Sequence, residues 1–370
     1  MKKRLQYVDG ETLANTILPP IRFVIHELLP QGLHVLAGAP KVGKSWLSLW
    51  ICLCVAQGEK LWDFPTQKGS VLYLCLEDSY ARIQNRLLDL ADDAPGNLFF
   101  SILSEKLHEG LEEQLESFLA EHPDTVLVVI DTLQRVRNPM KDGNPYASDY
   151  RDLEVLKQLA DRHGIALLLI HHLRKMNDVD PMNMISGTTG ISGATDGNFV
   201  LRKDKRSTGT ATLFCTGRDI PYRELSLAFD ENTHRWELRE DSQEPLPEQK
   251  TDLLIEDLLS FLKQHGDFTG TATELAVAIA DLSGETIQPN VLIKKLIRRQ
   301  QELSQLGINL SSRRTHTRRE LSLTMVRVGC VSNDGKTDSL PVSDFPSQPS
   351  QLSQTDQSDA ISSSQEEVSQ

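Results

Sequence analysis

Residues 38–45 read Gly38-Ala39-Pro40-Lys41-Val42-Gly43-Lys44-Ser45, directly after the apolar run Leu33-His34-Val35-Leu36-Ala37 and before the apolar, helix-compatible stretch 46–57. No other feature narrows the choice of fold as far. The glycines let backbone N–H groups close around an anion at positions where a Cβ would obstruct the turn. A helix that opens at the loop adds the anion preference of its N-terminus. In the pattern G-x-x-x-x-G-K-S, Lys44 supplies a point charge for the β- and γ-phosphates of a nucleotide, and the Ser45 hydroxyl is placed to ligate Mg²⁺. The context this chemistry needs, a strand before and a helix after, is present. The run therefore predicts ATP and Mg²⁺ as ligands, held by the eight loop residues and by Trp46 immediately beyond them.

A chain of 370 residues has room for one large domain and a smaller one. Its net charge of −13 argues against wholesale coating of nucleic acid, although that figure averages over regions of opposite sign. Met1-Lys2-Lys3-Arg4 is basic, but no apolar segment of a secretory signal follows it. The longest apolar stretch, 46–56, is far too short to span a bilayer and reads as a buried helix. A cytoplasmic protein without a membrane partner is expected. Cys52, Cys54, Cys75, Cys215 and Cys330 form no C-x-x-C pair, which reads as free buried thiols rather than a metal site.

From residue 31 to about 240 the pattern alternates strand and helix. Strands are expected at 33–37, 70–76, 98–103, 125–130 and 165–170, with helices at 44–57, 79–91, 109–121 and 149–163. The continuous apolar run Val126-Leu127-Val128-Val129-Ile130 is that of a strand buried on both faces. Such a progression predicts an α/β fold with a mostly parallel sheet covered by helices. After 195 the chain turns to short strands, 197–202, 209–215, 223–229 and 234–239, suited to extending the sheet antiparallel at its edge. Residues 1–30 are an N-terminal lead-in, 31–240 the main domain and 241–249 a linker. Residues 250–330 form a second unit with helices at 251–265, 272–280 and 288–303, a turn at Gly307 and an alternating segment at 319–328, the order of a winged helix. The Ser/Gln/Asp-rich tail 331–370 is expected to be disordered.

Three polar features stand at the ends of these strands, where open α/β sheets bind ligands. Glu77 ends the strand after the loop helix, where a carboxylate can activate the water that attacks a γ-phosphate. The competing reading is helix capping, assigned mainly to Asp78, with Ser79 beside it. Asp131 ends the buried run 125–130 and fits a carboxylate that holds Mg²⁺ through water, against the alternative of a turn-starting aspartate. His171 and His172 end the next strand and are placed to contact the γ-phosphate, although a histidine is more often a satisfied core residue, the alternative reading for His172. Joint metal ligation by the pair is disfavoured, because neighbouring strand residues point to opposite faces.

The ordered set Gly-Ala-Pro-Lys-Val-Gly-Lys-Ser, Leu76-Glu77-Asp78, Val129-Ile130-Asp131-Thr132-Leu133 and Leu169-Ile170-His171-His172 resembles the RepA-like branch of the RecA/DnaB hexameric helicase superfamily. Leu29-Pro30-Gln31-Gly32-Leu33, the stretch 187–194 and Thr216-Gly217-Arg218-Asp219 add to the resemblance, which covers about 20–240. It implies a RecA-like core in a homo-hexameric ring with ATP at the subunit interfaces, Glu77 as catalytic base, Asp131 at Mg²⁺ and a histidine at the γ-phosphate. It also implies an arginine finger from the neighbouring subunit. Arg202, Arg206 and Arg218 are the candidates, and none is singled out. No collar domain of the kind attached to bacterial replicative helicases is visible in the sequence.

Two long polar loops, 132–148 and 173–190, follow sheet strands and in the resembling proteins would face single-stranded DNA in the ring channel. The second carries Arg174 and Lys175; a plain solvated surface loop is the alternative. A basic island covers 281–330: Lys294, Lys295, Arg298, Arg299, Arg313, Arg314, Arg318, Arg319 and Arg327 face only Asp281, Glu285, Glu302 and Glu320. A helix over 288–303 would gather the first four on one broad side, predicting a DNA-binding basic face at 288–319. Docking of a protein is the alternative there. Together these readings point to an ATP-dependent DNA helicase or translocase in replication of a phage, plasmid or mobile element. The runners-up are a loader or recombination mediator without unwinding, and an ATP-switched winged-helix regulator.

Overall fold

A computed structural model describes residues 7–138, 145–174, 178, 180–187, 189–203, 209–243, 253–284, 286–314 and 319–325. Lys175, Arg206, Arg318, Arg327, Cys330, the linker positions 244–249 and the tail 331–370 lie outside the described residues. Contacts divide the chain into two compact units, Pro19–Glu256 and a second comprising Met1–Leu18 and Asp257–Gln370.

The chain begins with α1 (Gly10–Asn15), β1 (Phe23–Ile25) and β2 (Leu29–Pro30). There follow β3 (Gly32–Gly38), α2 (Lys44–Gln57), β4 (Ser70–Cys75), α3 (Tyr80–Leu90), β5 (Leu98–Ser101), α4 (Leu111–Glu121) and β6 (Thr125–Asp131). Next come α5 (Leu133–Val136), α6 (Pro145–His163), β7 (Ala166–His172), α7 (Thr189–Ala194), β8 (Gly197–Lys203), β9 (Thr210–Gly217), β10 (Arg223–Asp230) and β11 (Arg235–Asp241). β3 to β11 form one nine-stranded sheet in the order β11-β10-β9-β8-β3-β7-β6-β4-β5. The run β8-β3-β7-β6-β4-β5 is parallel, and β9, β10 and β11 extend it antiparallel at one edge. This is the mostly parallel α/β core that the alternating pattern predicts.

Strand alternation sorts the core into two layers. Leu36, Tyr73, Cys75, Leu127, Val129, Leu168 and Ile170 face one side, where α2 and the β1–β2 hairpin pack with Trp236. Leu33, Val35, Ala37, Leu72, Leu74, Val128, Ile130, Leu167 and Leu169 face the other, against α4, α5, α6 and α7. Because α2 is buried along nearly its whole length, its sequence shows no polar stripe. The lead-in 1–30 carries more order than its composition suggests: Phe23 and Ile25 pair with Pro30 and Leu29 in a hairpin that adds Val24, Ile25, Leu28 and Leu29 to the α2 side. The loops 132–148 and 173–190 are also partly helical. Leu133 and Val136 turn into the core as α5, and Pro181–Met184 forms a 3-10 turn.

The second unit contains α8 (Leu253–His265) from Asp257 onward, β12 (Phe268–Gly270), α9 (Ala272–Ser283), α10 (Pro289–Arg298), α11 (Gln300–Gln305), β13 (Ile308–Arg314) and β14 (Arg319–Met325). Helices α8 to α11 accompany an antiparallel sheet in the order β12-β14-β13, one helix more than the three expected of a winged helix. A capping box between Thr271 and Glu274 starts α9, and Gly284 ends it. The single helix expected over 288–303 is instead two, broken at Arg299. Residues 298–302 offer no apolar side chain to the core, so packing by Leu292 and Leu296 on one side and Leu303 on the other leaves the middle unsupported.

Trp236 is only 1% exposed and receives the Trp62 indole N–H on its carbonyl at 2.6 Å. Trp236→Ala is expected to cost about 3–5 kcal/mol, read as a lower urea midpoint with unchanged slope.

Candidate nucleotide site

Parallel register brings the carboxyl ends of the strands to one rim. Gly38 at the end of β3 stands beside His172 of β7 and Leu201 of β8, Asp131 of β6 beside Ile170, and Cys75 of β4 beside Asp131. The loop 39–43 crosses this rim and opens α2. Gly43 adopts φ +105°, and a Cβ there would come within 2.9 Å of the Trp236 ring. Trp236 also donates its indole N–H to the Gly43 carbonyl at 3.3 Å, so the edge strand β11 backs the loop.

Lys44 is 7% exposed, and its ammonium donates to the carbonyls of Gly38 at 2.7 Å and Ala39 at 3.1 Å. Burial lowers its pKa, opposed by the charges of Asp131 and Glu77. The Ser45 hydroxyl donates to Asp131 Oδ2 at 3.1 Å, and the same oxygen accepts the Tyr73 hydroxyl at 3.0 Å. Burial raises the Asp131 pKa, while these two hydrogen bonds and Lys44 act in the opposite sense. Burial and the Asp131 charge push the Tyr73 phenol well up, so it serves as a donor. A hydroxyl and a carboxylate, both hard oxygen donors, converge here, and that set fits Mg²⁺.

Glu77 lies exposed in the turn after β4, where its Oε1 accepts the Thr132 hydroxyl at 3.3 Å. Two further contacts hold that turn against β6 and α5: the Leu76 N–H donates to the Asp131 carbonyl at 2.8 Å, and Arg135 Nε of α5 donates to the Leu76 carbonyl at 3.2 Å. The capping role expected mainly of Asp78 belongs to Ser79, whose side chain accepts the Arg82 N–H at the start of α3. Asp78 instead binds Arg86 and lies 3.5 Å from Arg82. Glu77 takes neither task.

The histidine pair divides by strand alternation. His172 shares the α2 side with Leu168 and Ile170, whereas His171 shares the α6 side with Leu167 and Leu169. His171 Nε2–H donates to the Ser186 carbonyl at 3.0 Å, and burial holds its pKa down at about 4, so it is neutral. His172 Nδ1 is buried without a hydrogen-bond partner in this structure. Arg202 follows Leu201 at the loop rim and lays its guanidinium over the Phe214 ring, 4.7 Å from the centroid. Arg218 lies at the opposite end of the sheet, 3.0 Å from Asp196. Trp46 stacks on His234 at 4.7 Å, with Arg86 5.8 Å from its ring centroid.

Sequence reasoning missed Tyr73, Thr132, Arg135 and Trp236. Tyr73 alone left a signal, a phenol inside an otherwise aliphatic buried strand. The two long loops are pinned at their described ends: Arg137 pairs with Asp149 and, at 2.8 Å, with Asp152, and Arg174 donates to the Gly187 carbonyl. On the second unit, Lys294, Lys295 and Arg298 are exposed on α10, whereas Arg299, expected to join them, sits at the helix break and pairs with Glu302 at 3.0 Å.

Residues 2–178, just under half the chain, match the family described as AAA domain. The matched stretch contains the loop, Glu77, Asp131 and both histidines, and with the loop it supports an ATPase. No curated protein matches the chain. Among solved structures, it is similar to the ATPase domain of G40P at 15% identity, covering 57% of this chain and 85% of that one, with a TM-score of 0.48. It is also similar to a DnaB-like replicative helicase described with its interactions with primase, at 15% identity and a TM-score of 0.48. That match covers 62% of this chain and 64% of the other, less than two thirds of its length. At these values neither likeness adds to what the strand order and the loop establish. Among the described residues no helix is long and apolar enough to cross a membrane.

His34 in β3 resembles His171: burial holds its pKa at about 4, and its Nε2 meets the Pro30 carbonyl at 2.7 Å. Both groups titrate lower in the folded chain than the ordinary 6.5, so on acidification the unfolded chain takes up protons first. Their contribution to stability is complete above pH 6.5 and is lost as the pH falls through 4. Thermal midpoints measured from pH 7 to 4.5 are expected to fall, and to fall less steeply in His34→Asn. An identical slope in that variant would exclude His34 as a source.

Proposed function

We propose that this chain is a ring-forming ATPase that hydrolyses ATP at subunit interfaces and uses the energy to translocate along or unwind DNA, in replication of a phage, plasmid or mobile element. The observation that carries the reading is the exposed carboxylate of Glu77 on the same rim as Lys44, Ser45 and Asp131. A binding module has no use for an exposed carboxylate beside a phosphate loop, whereas hydrolysis does. Lys44 would exchange the carbonyls of Gly38 and Ala39 for phosphate oxygens. Ser45 and Asp131 would hold Mg²⁺, which when bound draws charge from the β- and γ-phosphates. Glu77, oriented by Thr132, would accept a proton from the attacking water as its oxygen bonds to the γ-phosphorus and the bond to the β-phosphate oxygen breaks, releasing ADP. His172 would sense the γ-phosphate, and His171 ties the same strand end to Ser186 in the second loop.

An arginine finger would come from the adjacent subunit of a homo-hexamer. Arg202 and Arg218 remain the described candidates, although Arg218 would have to leave Asp196. Loops 132–148 and 173–190 would contact single-stranded DNA. The exposed Lys294, Lys295 and Arg298 of α10 favour a second DNA contact by the winged-helix unit. The same observation supports the runner-up, an ATP-switched regulator bound through that unit.

ATP turnover measured with and without single-stranded DNA, alongside sedimentation with ATP, tests the proposal. Stimulation by DNA and assembly with ATP are expected, and strand displacement on a forked duplex separates a motor from a loader. Lys44→Ala and Glu77→Gln should each lower turnover by roughly a hundredfold or more. Turnover indifferent to DNA would count against the motor, and a footprint at one defined sequence would favour the regulator.

A further inference from the structure

Tyr73 is fully buried in the middle of β4, between Leu72 and Leu74, with its ring against Phe100 at a centroid distance of 6.2 Å. Phenylalanine would fill that space equally well. A buried hydroxyl costs free energy unless it is hydrogen-bonded, so its partner identifies what the extra oxygen is for. That partner is Asp131 Oδ2, at 3.0 Å.

Two donors from two different elements thus meet on one carboxylate oxygen: Ser45 from the first turn of α2 and Tyr73 from β4. Neither of these hydrogen bonds uses Oδ1. The two donors differ in what else they do. Ser45 is itself a proposed metal ligand and changes its bonding when a cation arrives. Tyr73 is a neutral donor locked by packing on an interior strand, and it would hold the carboxylate in either state. Register explains the reach. Cys75 pairs with Asp131 and Tyr73 with Val129, so the Tyr73 side chain starts two residues back on the same side of the sheet and extends toward the rim.

We propose that Tyr73 is a positioning residue for the metal-binding carboxylate: its buried hydroxyl fixes the Asp131 side chain in the orientation that receives the divalent cation bound with nucleotide. The inference rests on the ATPase reading above and adds to it a residue outside the loop and the strand-end carboxylates. Outer partners of metal ligands commonly set metal affinity by roughly tenfold to a hundredfold.

The test uses Tyr73→Phe in the full chain. Mn²⁺ uptake in the presence of ADP is read from loss of the free-ion electron paramagnetic resonance signal, and binding of a fluorescent ADP analogue is measured in EDTA. The variant is expected to need roughly ten times more Mn²⁺ for half-saturation, while metal-free nucleotide binding stays unchanged. Phe100→Leu, which disturbs the same packing without touching Asp131, should leave Mn²⁺ affinity at the wild-type value. If the Phe variant fails to fold, Tyr73→Met provides the same readout with a more adaptable side chain. Unchanged Mn²⁺ affinity in the Tyr73 variant, beside a wild type that binds, overturns the role of Tyr73 alone. A wild type that takes up no Mn²⁺ with ADP overturns both this role and the ATPase reading.

Discussion

One oxygen atom, Asp131 Oδ2, joins the parts of the site. It accepts from Ser45 on α2 and from Tyr73 on β4, while its own strand β6 is separated from the loop strand β3 by β7. Without it, the loop and the strand-end carboxylates would simply lie on one rim. The hydrogen bond from Ser45 closes that gap and sets the distance between the loop helix and the β6 carboxylate. Burial makes such a carboxylate costly to ionise, and the donors around it offset the cost. The geometry therefore depends on a charge the fold has to support.

The loop strand is held at its other end by a second carboxylate. Asp196 accepts the Leu33 N–H at 3.0 Å, the Lys157 ammonium at 2.7 and 2.8 Å and the Arg218 guanidinium at 3.0 Å. Burial opposes its ionisation, yet the Lys157 and Leu33 hydrogen bonds and the charges of Lys157 and Arg218 bring its pKa below the usual value. β3 is thus anchored from α6 and from the end of β9 at its start, and packed by Trp236 at its exit. The loop has glycine at both ends, Gly38 and Gly43, and only Val42 of its side chains is buried in the core, so much of its rigidity has to come from its neighbours.

What was legible in the sequence follows from the range of the interactions involved. The strand at β6 and the helix at α2 were readable because runs of apolar residues encode burial locally. Asp131 was readable because it ends such a run. Trp236 was not, and Tyr73 showed only as a phenol in a buried strand, since their partners lie 193 and 58 positions away along the chain. The division of labour between His171 and His172 needed the sheet order before strand parity had a meaning. The short strand β12 escaped for a different reason. Three residues that pair only with β14, far along the chain, leave too little periodicity to be distinguished from a turn.

Charge at the site carries one further consequence. Lys44 is a single cation set against two carboxylates, Asp131 and Glu77, whose fields counter the effect of burial on its pKa. This cluster of three is negative before any phosphate arrives, and a polyphosphate placed there adds several more negative charges. Backbone N–H groups and the start of α2 contribute partial charges only. A divalent cation held by Ser45 and Asp131 changes that sum directly. On the proposed reading, affinity for nucleotide and affinity for the cation would therefore be coupled, and by linkage each would strengthen the other by the same factor. That coupling gives the Ser45–Asp131–Tyr73 junction its weight: whatever fixes the carboxylate sets the strength of both.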